Sequence, residues 1–331
     1  MRGLTRTLKE SRIVEILRKV NFERYGPFIA LLVLFGISAI ASPYFLQIRN
    51  LTNILRQVSY TGIIALGMTF VIISGGIDLS VGSMTALLGG IAIWVLNGLG
   101  GGVGAIFAAV FAAILAGAAA GGVNGLVITK WRVAPFIVTL GTMSIFRSLI
   151  LFASNASVVR STSSIYPELG MGYFIGLPIP VWIMLLLAAA FHVVLYHTRF
   201  GRYLCAVGSN ERVAAYAAIK TVWVKFFSYV IVGGTVGISA VLLSSRLNSI
   251  GSTNAGSSYE LDAIAAVIIG GTSLSGGSGS IVGTLIGAII LGIVNNMLNL
   301  LGVSPYLQGT VKGLVIIGAV LIQRGRRRGQ F

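Results

Sequence analysis

Two polar, glycine-rich stretches break long apolar runs, and no other feature restricts the fold as tightly. The first is Ser74-Gly75-Gly76-Ile77-Asp78-Leu79-Ser80-Val81-Gly82-Ser83, in which Asp78 is the only charge between Arg56 and Lys130. The second, Gly270-Gly271-Thr272-Ser273-Leu274-Ser275-Gly276-Gly277-Ser278, repeats the pattern G-G-x-x-L-S-x-G-S at an offset of 195 residues. An unpaired backbone N–H or C=O is costly in hydrocarbon, so unwound chain persists at membrane depth only where protein buries it or it lines a watery cavity. Glycine-broken segments at corresponding positions of two halves point to a route through the membrane. The other reading is two surface turns that share the same turn residues.

The flanking runs approach the length of about 20 apolar residues that a helix needs to cross a bilayer. They fall at about 27–46, 58–73, 81–96, 105–129, 133–153, 178–196, 226–245, 261–274, 280–301 and 307–322. The expected fold is therefore all-α: a polytopic integral membrane protein of about ten transmembrane helices with two glycine-rich broken hairpins. A charged fraction of 10% agrees, since soluble domains carry about a quarter. The eighth run is too short and too rich in glycine for a regular crossing. Two runs carry glycines at four-residue steps, Gly117, Gly121 and Gly125 in one and Gly279, Gly283 and Gly287 in the other. This is the spacing that lets helices approach closely.

Charge sets the expected organisation. Residues 1–26 form a basic amphipathic segment suited to an anionic cytoplasmic surface, with no cleavable leader. A single transmembrane domain occupies 27–322, with a cytoplasmic loop at 197–225, and 323–331 is a basic cytoplasmic tail. With ten crossings and the N-terminus inside, the interior segments hold seven, two, five and four basic residues, which is 18 of the 24 Lys and Arg. That bias places both termini in the cytoplasm. The net charge of +16 is distributed as topology signals between spans, which argues against a nucleic-acid partner. Arg147 and Lys312 fall inside spans and must snorkel, pair or face water. Arg246, Glu260 and Asp262 are expected at the outer face, either meeting a docking protein with complementary charge or serving as simple topological charge.

No catalytic constellation is present. There is no Gly-Lys pair and hence no phosphate-binding loop of that type. His192 and His197 share a helix face poorly and Cys205 is alone, so no metal site or disulfide is expected. A transporter of this composition either dissipates a gradient or takes work from a partner. The stretch from Gly208, Ser209, Asn210 and Glu211 through Ala214, Ala215, Ala218 and Ile219 opens on a cap-like Ser or Asn and continues as an alanine-rich turn or two of helix. It suits either a cleft in another protein or an ordinary connection. Asp78 either bonds a cargo hydroxyl or caps the helix after the break. Asn124, Asn295, Asn296 and Asn299 either line a path for neutral polyols or bond helix to helix.

The segment Glu260-Leu261-Asp262-Ala263-Ile264-Ala265-Ala266-Val267-Ile268-Ile269-Gly270-Gly271-Thr272-Ser273-Leu274, the Gly-Ser-Ile-Val-Gly-Thr-Leu-Ile-Gly-Ala run after it and the Gly-Ile-Asp-Leu-Ser-Val-Gly-Ser run at 76–83 closely resemble the ribose-type permeases of bacterial ABC sugar importers. So do Pro135-Phe136-Ile137-Val138-Thr139-Leu140 and His197-Thr198-Arg199-Phe200-Gly201-Arg202-Tyr203. The resemblance extends from about residue 28 to the end. It implies a homodimer in the lipid bilayer, joined to an ATPase with two nucleotide-binding domains that holds the ATP and magnesium, and fed by a periplasmic sugar-binding protein. This chain then carries no cofactor and is no enzyme. The resemblance makes 208–219 the coupling helix, although Ala218 stands where the family pattern has glycine. Monosaccharide import is the function implied. A nucleoside, a branched-chain amino acid or a furanosyl signalling molecule as cargo, or an autonomous carrier or channel, are the alternatives.

Overall fold

The computed structural model describes residues 22–304, 307–314 and 317–318. The basic segment before residue 22 and the tail at 323–331 lie outside the described residues. In chain order the helices are α1 (Phe22–Ala41), α2 (Ile48–Ile73), α3 (Val81–Gly98), α4 (Val103–Lys130), α5 (Pro135–Ala153), α6 (Pro167–Met171), α7 (Ile179–His197), α8 (Arg199–Ser209), α9 (Glu211–Tyr216), α10 (Thr221–Leu247), α11 (Tyr259–Ile269) and α12 (Ile281–Leu300). Residues 307–314 are also helical. Among the described residues seven helices, α2, α3, α4, α5, α7, α10 and α12, are long and apolar enough to cross a membrane. The chain is thus an α-helical, multi-pass membrane protein. The eighth expected run is α11, only 11 residues long.

Helix α2 is the centre of the bundle. From Val58 to Ser74 only Thr61 escapes full burial, as befits a helix that is apolar all round. It packs against α7, α10, α11 and α12. The stepped glycines set the closest contacts. A Cβ on Gly121 would lie 2.0 Å from the carbonyl oxygen of Tyr229, and one on Gly117 2.2 Å from that of Gly233, so α4 and α10 meet backbone to backbone. Gly283 and Gly287 press likewise on the carbonyls of Gly270 and Ala266, joining α12 to α11. With no hydrophobic force between helices in lipid, such close packing is what associates them. By contrast α4, α5 and α7 turn one side outward, exposing Phe107 and Phe111 of α4 and Ile137, Ile145 and Phe152 of α5.

Short strands order the loops of this all-α bundle. Strand β1 (Val158–Arg160) pairs antiparallel with β4 (Ser249–Gly251), placing Val159 opposite Ile250. Strand β2 (Tyr173–Phe174) pairs with β3 (Leu177–Pro178) through a turn in which Ile175 and Gly176 both have positive φ. These ladders satisfy loop backbone that would otherwise lack partners. The loop carrying β1 folds over the end of α10. There the buried Tyr166 hydroxyl bonds the carbonyl of Val241 and the hydroxyl of Ser244. Burial pushes that phenol up to about 12.

Candidate functional site: two broken connections and a short helix pair

The first break is held by side chains. Gly75 turns the chain at φ +82° after α2, and residues 76–79 are irregular until α3 begins. Asp78 is fully buried. One carboxylate oxygen accepts from the Ser80 backbone N–H at 2.9 Å and from the Ser80 hydroxyl at 2.6 Å. The other accepts from the Asn124 amide at 3.4 Å, and that amide also donates to the Ser80 hydroxyl oxygen at 3.0 Å. The Tyr229 hydroxyl donates to the carbonyl of Ile77. A buried carboxylate needs such partners to be tolerated, and here they tie the break to α4 and α10.

The second break is held by backbone and hydroxyls. Gly271, Gly276 and Gly277 take φ of +89°, +82° and +81°. The Ser273 N–H donates to the carbonyl of Ser278, and the Ser280 N–H to the hydroxyl of Thr272. Ser280 then caps α12 by accepting from the Gly283 N–H at 3.0 Å. The Gly277 N–H donates to the carbonyl of Ile73, the last residue of α2, at 2.9 Å. Gly208 presses on the same atoms. A Cβ there would fall 1.7 Å from the Ile73 oxygen and 2.5 Å from the Gly277 nitrogen.

That contact brings in the loop at 197–225, which folds as two short helices. Thr198 caps α8 and Asn210 caps α9, the latter accepting from the Val213 N–H at 3.1 Å. Gly208 and Ser209 therefore close α8, while Glu211, Ala214 and Ala215 form α9. Ala214 is buried; Val213 and Tyr216 are 60% and 88% exposed and form an apolar tip. Ala218 takes φ +59° as the turn closes, with the Ile219 N–H on the carbonyl of Ala214. This is the left-handed position at which helices usually end on glycine, and alanine occupies it at a cost of about 1–2 kcal/mol. Lys225 pairs with Glu211. A cavity of about 550 Å³ separates Ser74, Gly75 and Gly76 from Glu211, Arg212 and Ala215, so the first break faces α9 across a gap. Burial raises the pKa of the single thiol, Cys205 in α8.

The asparagines divide. Asn296 and Asn50 exchange side-chain bonds at 2.8 and 3.1 Å, fastening α12 to α2. Asn299 accepts from Gln308 at 2.8 Å. Asn295 and Asn299 line a cavity of about 290 Å³ together with Tyr60, Arg246, Asp262 and Lys312. The Asn295 side-chain oxygen is buried and without a partner among the described residues. The three charges expected at the outer face each have neighbours within the chain. Asp262 accepts from Lys312 at 3.1 Å, the Arg246 guanidinium lies 5.7 Å from the Tyr60 ring centre, and Glu260 lines a cavity beside Arg147. Arg147 itself donates to the carbonyls of Ser252 and Ala255. Helical spacing could not reveal these partners, because they lie 50 to 186 residues away in the chain.

Against known proteins, the family model described as "Branched-chain amino acid transport system / permease component" matches residues 50–320. The chain belongs to this permease family. It is 46% identical over 314 residues to a ribose import permease protein of Bacillus subtilis, covering 93% of this chain and 96% of the relative. The ribose import permease protein of Escherichia coli K12 is also 46% identical, over 304 residues, 90% of this chain and 93% of the relative. The L-arabinose transport system permease protein of the same organism is 37% identical over 312 residues, 93% of each chain. No solved structure matches the chain. The permease is thus the membrane component of an ABC importer, a transport subunit and not an enzyme, with an ATPase and a periplasmic binding protein as separate partners.

Proposed function

We propose that this permease forms half of the inner-membrane pathway for ribose, two copies pairing around the route and each crossing the bilayer ten times with both termini in the cytoplasm. The identity of 46% to ribose permeases, against 37% to an arabinose permease, carries the choice of cargo. ATP and magnesium belong to the partner ATPase, whose movement enters through Asn210, Glu211, Ala214 and Ala215, with the exposed Val213 and Tyr216 seated in its cleft. An aromatic anchor at a small protruding surface is what such contacts favour. The full burial of Asp78 and Asn124 supports an anchoring role for both, and Asn296 serves the same end at α2. Asn295 and Asn299, facing a cavity, are the amides that can meet cargo hydroxyls.

In proteoliposomes carrying the ATPase and a ribose-loaded binding protein, ribose should accumulate only with ATP. Ala215→Trp or Glu211→Arg should abolish most uptake while the permease still inserts in the membrane. Full uptake by either variant would remove the coupling assignment, and uptake by the permease alone would overturn import driven by a partner.

A further inference from the structure

A cavity of about 590 Å³ opens between the middle of α5 and the loop that joins β4 to α11. Its wall includes Ser144, Arg147 and Ser148 of α5, Ser257 of the loop and Glu260 from the first turn of α11. The loop is inserted into the protein and does not lie over its end. A Cβ on Gly256 would meet the Gly82 carbonyl oxygen at 2.1 Å, and one on Gly82 would meet the Glu260 carboxylate, so the loop reaches the first turn of α3. Roughly 20 Å of helix, at 1.5 Å per residue, separates that point from Asn97, which bonds Arg160 of β1 near the other end of α3. Arg147 holds the loop at this depth by donating to the carbonyls of Ser252 at 2.8 Å and Ala255 at 2.9 Å.

Around this cavity the exposed surface is wrong for lipid. Ser144, Ser148, Thr253 and Ser257 are all exposed, on a span and a loop at membrane depth. Irregular backbone in that position is stable only against protein or water. The cavity lies within the size range of small-molecule sites, about 300–1,000 Å³.

We propose that this cavity is a section of the pathway that touches cargo, additional to the one lined by Asn295 and Asn299 and closed on its open side by the same surface of a second copy, with Ser144, Ser148, Ser257 and Glu260 bonding the hydroxyls of a monosaccharide. It rests on the import function proposed above. Sugar hydroxyls donate and accept, as serine hydroxyls do, while the Glu260 carboxylate accepts. Arg147 is a positioning residue, since its guanidinium is committed to the loop carbonyls.

The test uses the assembled complex in nanodiscs, with both faces open to reagent. Cys205 is replaced by serine, and Ser148→Cys or Ser257→Cys is introduced singly. A charged, membrane-impermeant methanethiosulfonate should modify both cysteines, and D-ribose with its binding protein should slow modification several-fold. Ser144→Cys serves if either variant fails to assemble. If the new cysteines stay unmodified while a Ser157→Cys control in the exposed loop reacts, the cavity faces lipid and the proposal falls. It falls equally if ribose gives no protection in a complex that imports ribose. A wild-type complex that imports no ribose would instead overturn the cargo assignment, while water access at residues 148 and 257 would still report on the cavity.

Discussion

The two glycine-rich breaks share a residue pattern and are held by different forces. At its fourth position the first carries Asp78 and the second Ser273. In the first, the Asp78 carboxylate gathers the Ser80 N–H, the Ser80 hydroxyl and the Asn124 amide, so side chains hold the backbone. In the second, three glycines at positive φ turn the chain, and a backbone bond from Gly277 to Ile73 holds it. The second break touches α8 directly, whereas the first faces α9 across a cavity. The shared glycines thus mark where the chain unwinds, and the unshared position helps decide what replaces the lost helical bonds.

Breaking the second side of this comparison should have the largest effect. Gly208→Ala drives a Cβ into the Ile73 carbonyl and the Gly277 nitrogen, which are backbone and cannot rotate away. A loss of about 3 kcal/mol or more is expected, at the upper end of overpacking costs. It would be read as a large fall in the thermal unfolding midpoint of the purified permease, and an unchanged midpoint would show that this junction is not packed on backbone. Next comes the first break. Asp78→Leu removes the acceptor for three donors and should cost about 2–4 kcal/mol, since each buried group left unpaired costs about 1–3 kcal/mol. Asp78→Asn, which keeps the shape and one acceptor oxygen, should cost less. Equal midpoints for the two variants would remove the carboxylate's anchoring role. The smallest effect belongs to the capping of α12. Ser280→Ala should cost about 1 kcal/mol and speed hydrogen exchange at the Gly283 amide, leaving amides of residues 76–80 unchanged. Faster exchange at both breaks would mean that they open together.

Local physics was readable from residues alone, and long-range partnership was not. Asn210 as a cap follows from its own short side chain and the alanine-rich turn after it. The glycine ladders of α4 and α12 announce close approach because only the absence of a Cβ permits it, although the partners, Tyr229 and Gly233 for one and Ala266 and Gly270 for the other, are not legible. The inserted loop between β4 and α11 reads as an ordinary polar connection, since serine, asparagine and glycine serve equally at a surface and inside a wet cleft. Its depth rests on Arg147, more than 100 residues earlier in the chain. Likewise the partner of Asp262, Lys312, lies 50 residues further along the chain. Ala218 is intermediate: its departure from the glycine of the family pattern was visible, but only the folded backbone reveals the left-handed conformation that it occupies.

The meeting of Ile73, Gly208 and Gly277 makes a stiff linkage of three pieces that lie far apart along the polypeptide. With no side chain between them there is no slack to take up, so tilting the short helices α8 and α9 would drag the central helix and the connection ahead of α12 in one stroke. The gap beneath the other break offers play instead. One permease would then contain both a rigid lever and a loose one, and the order in which its two halves respond to a push from below would follow from that difference in clearance.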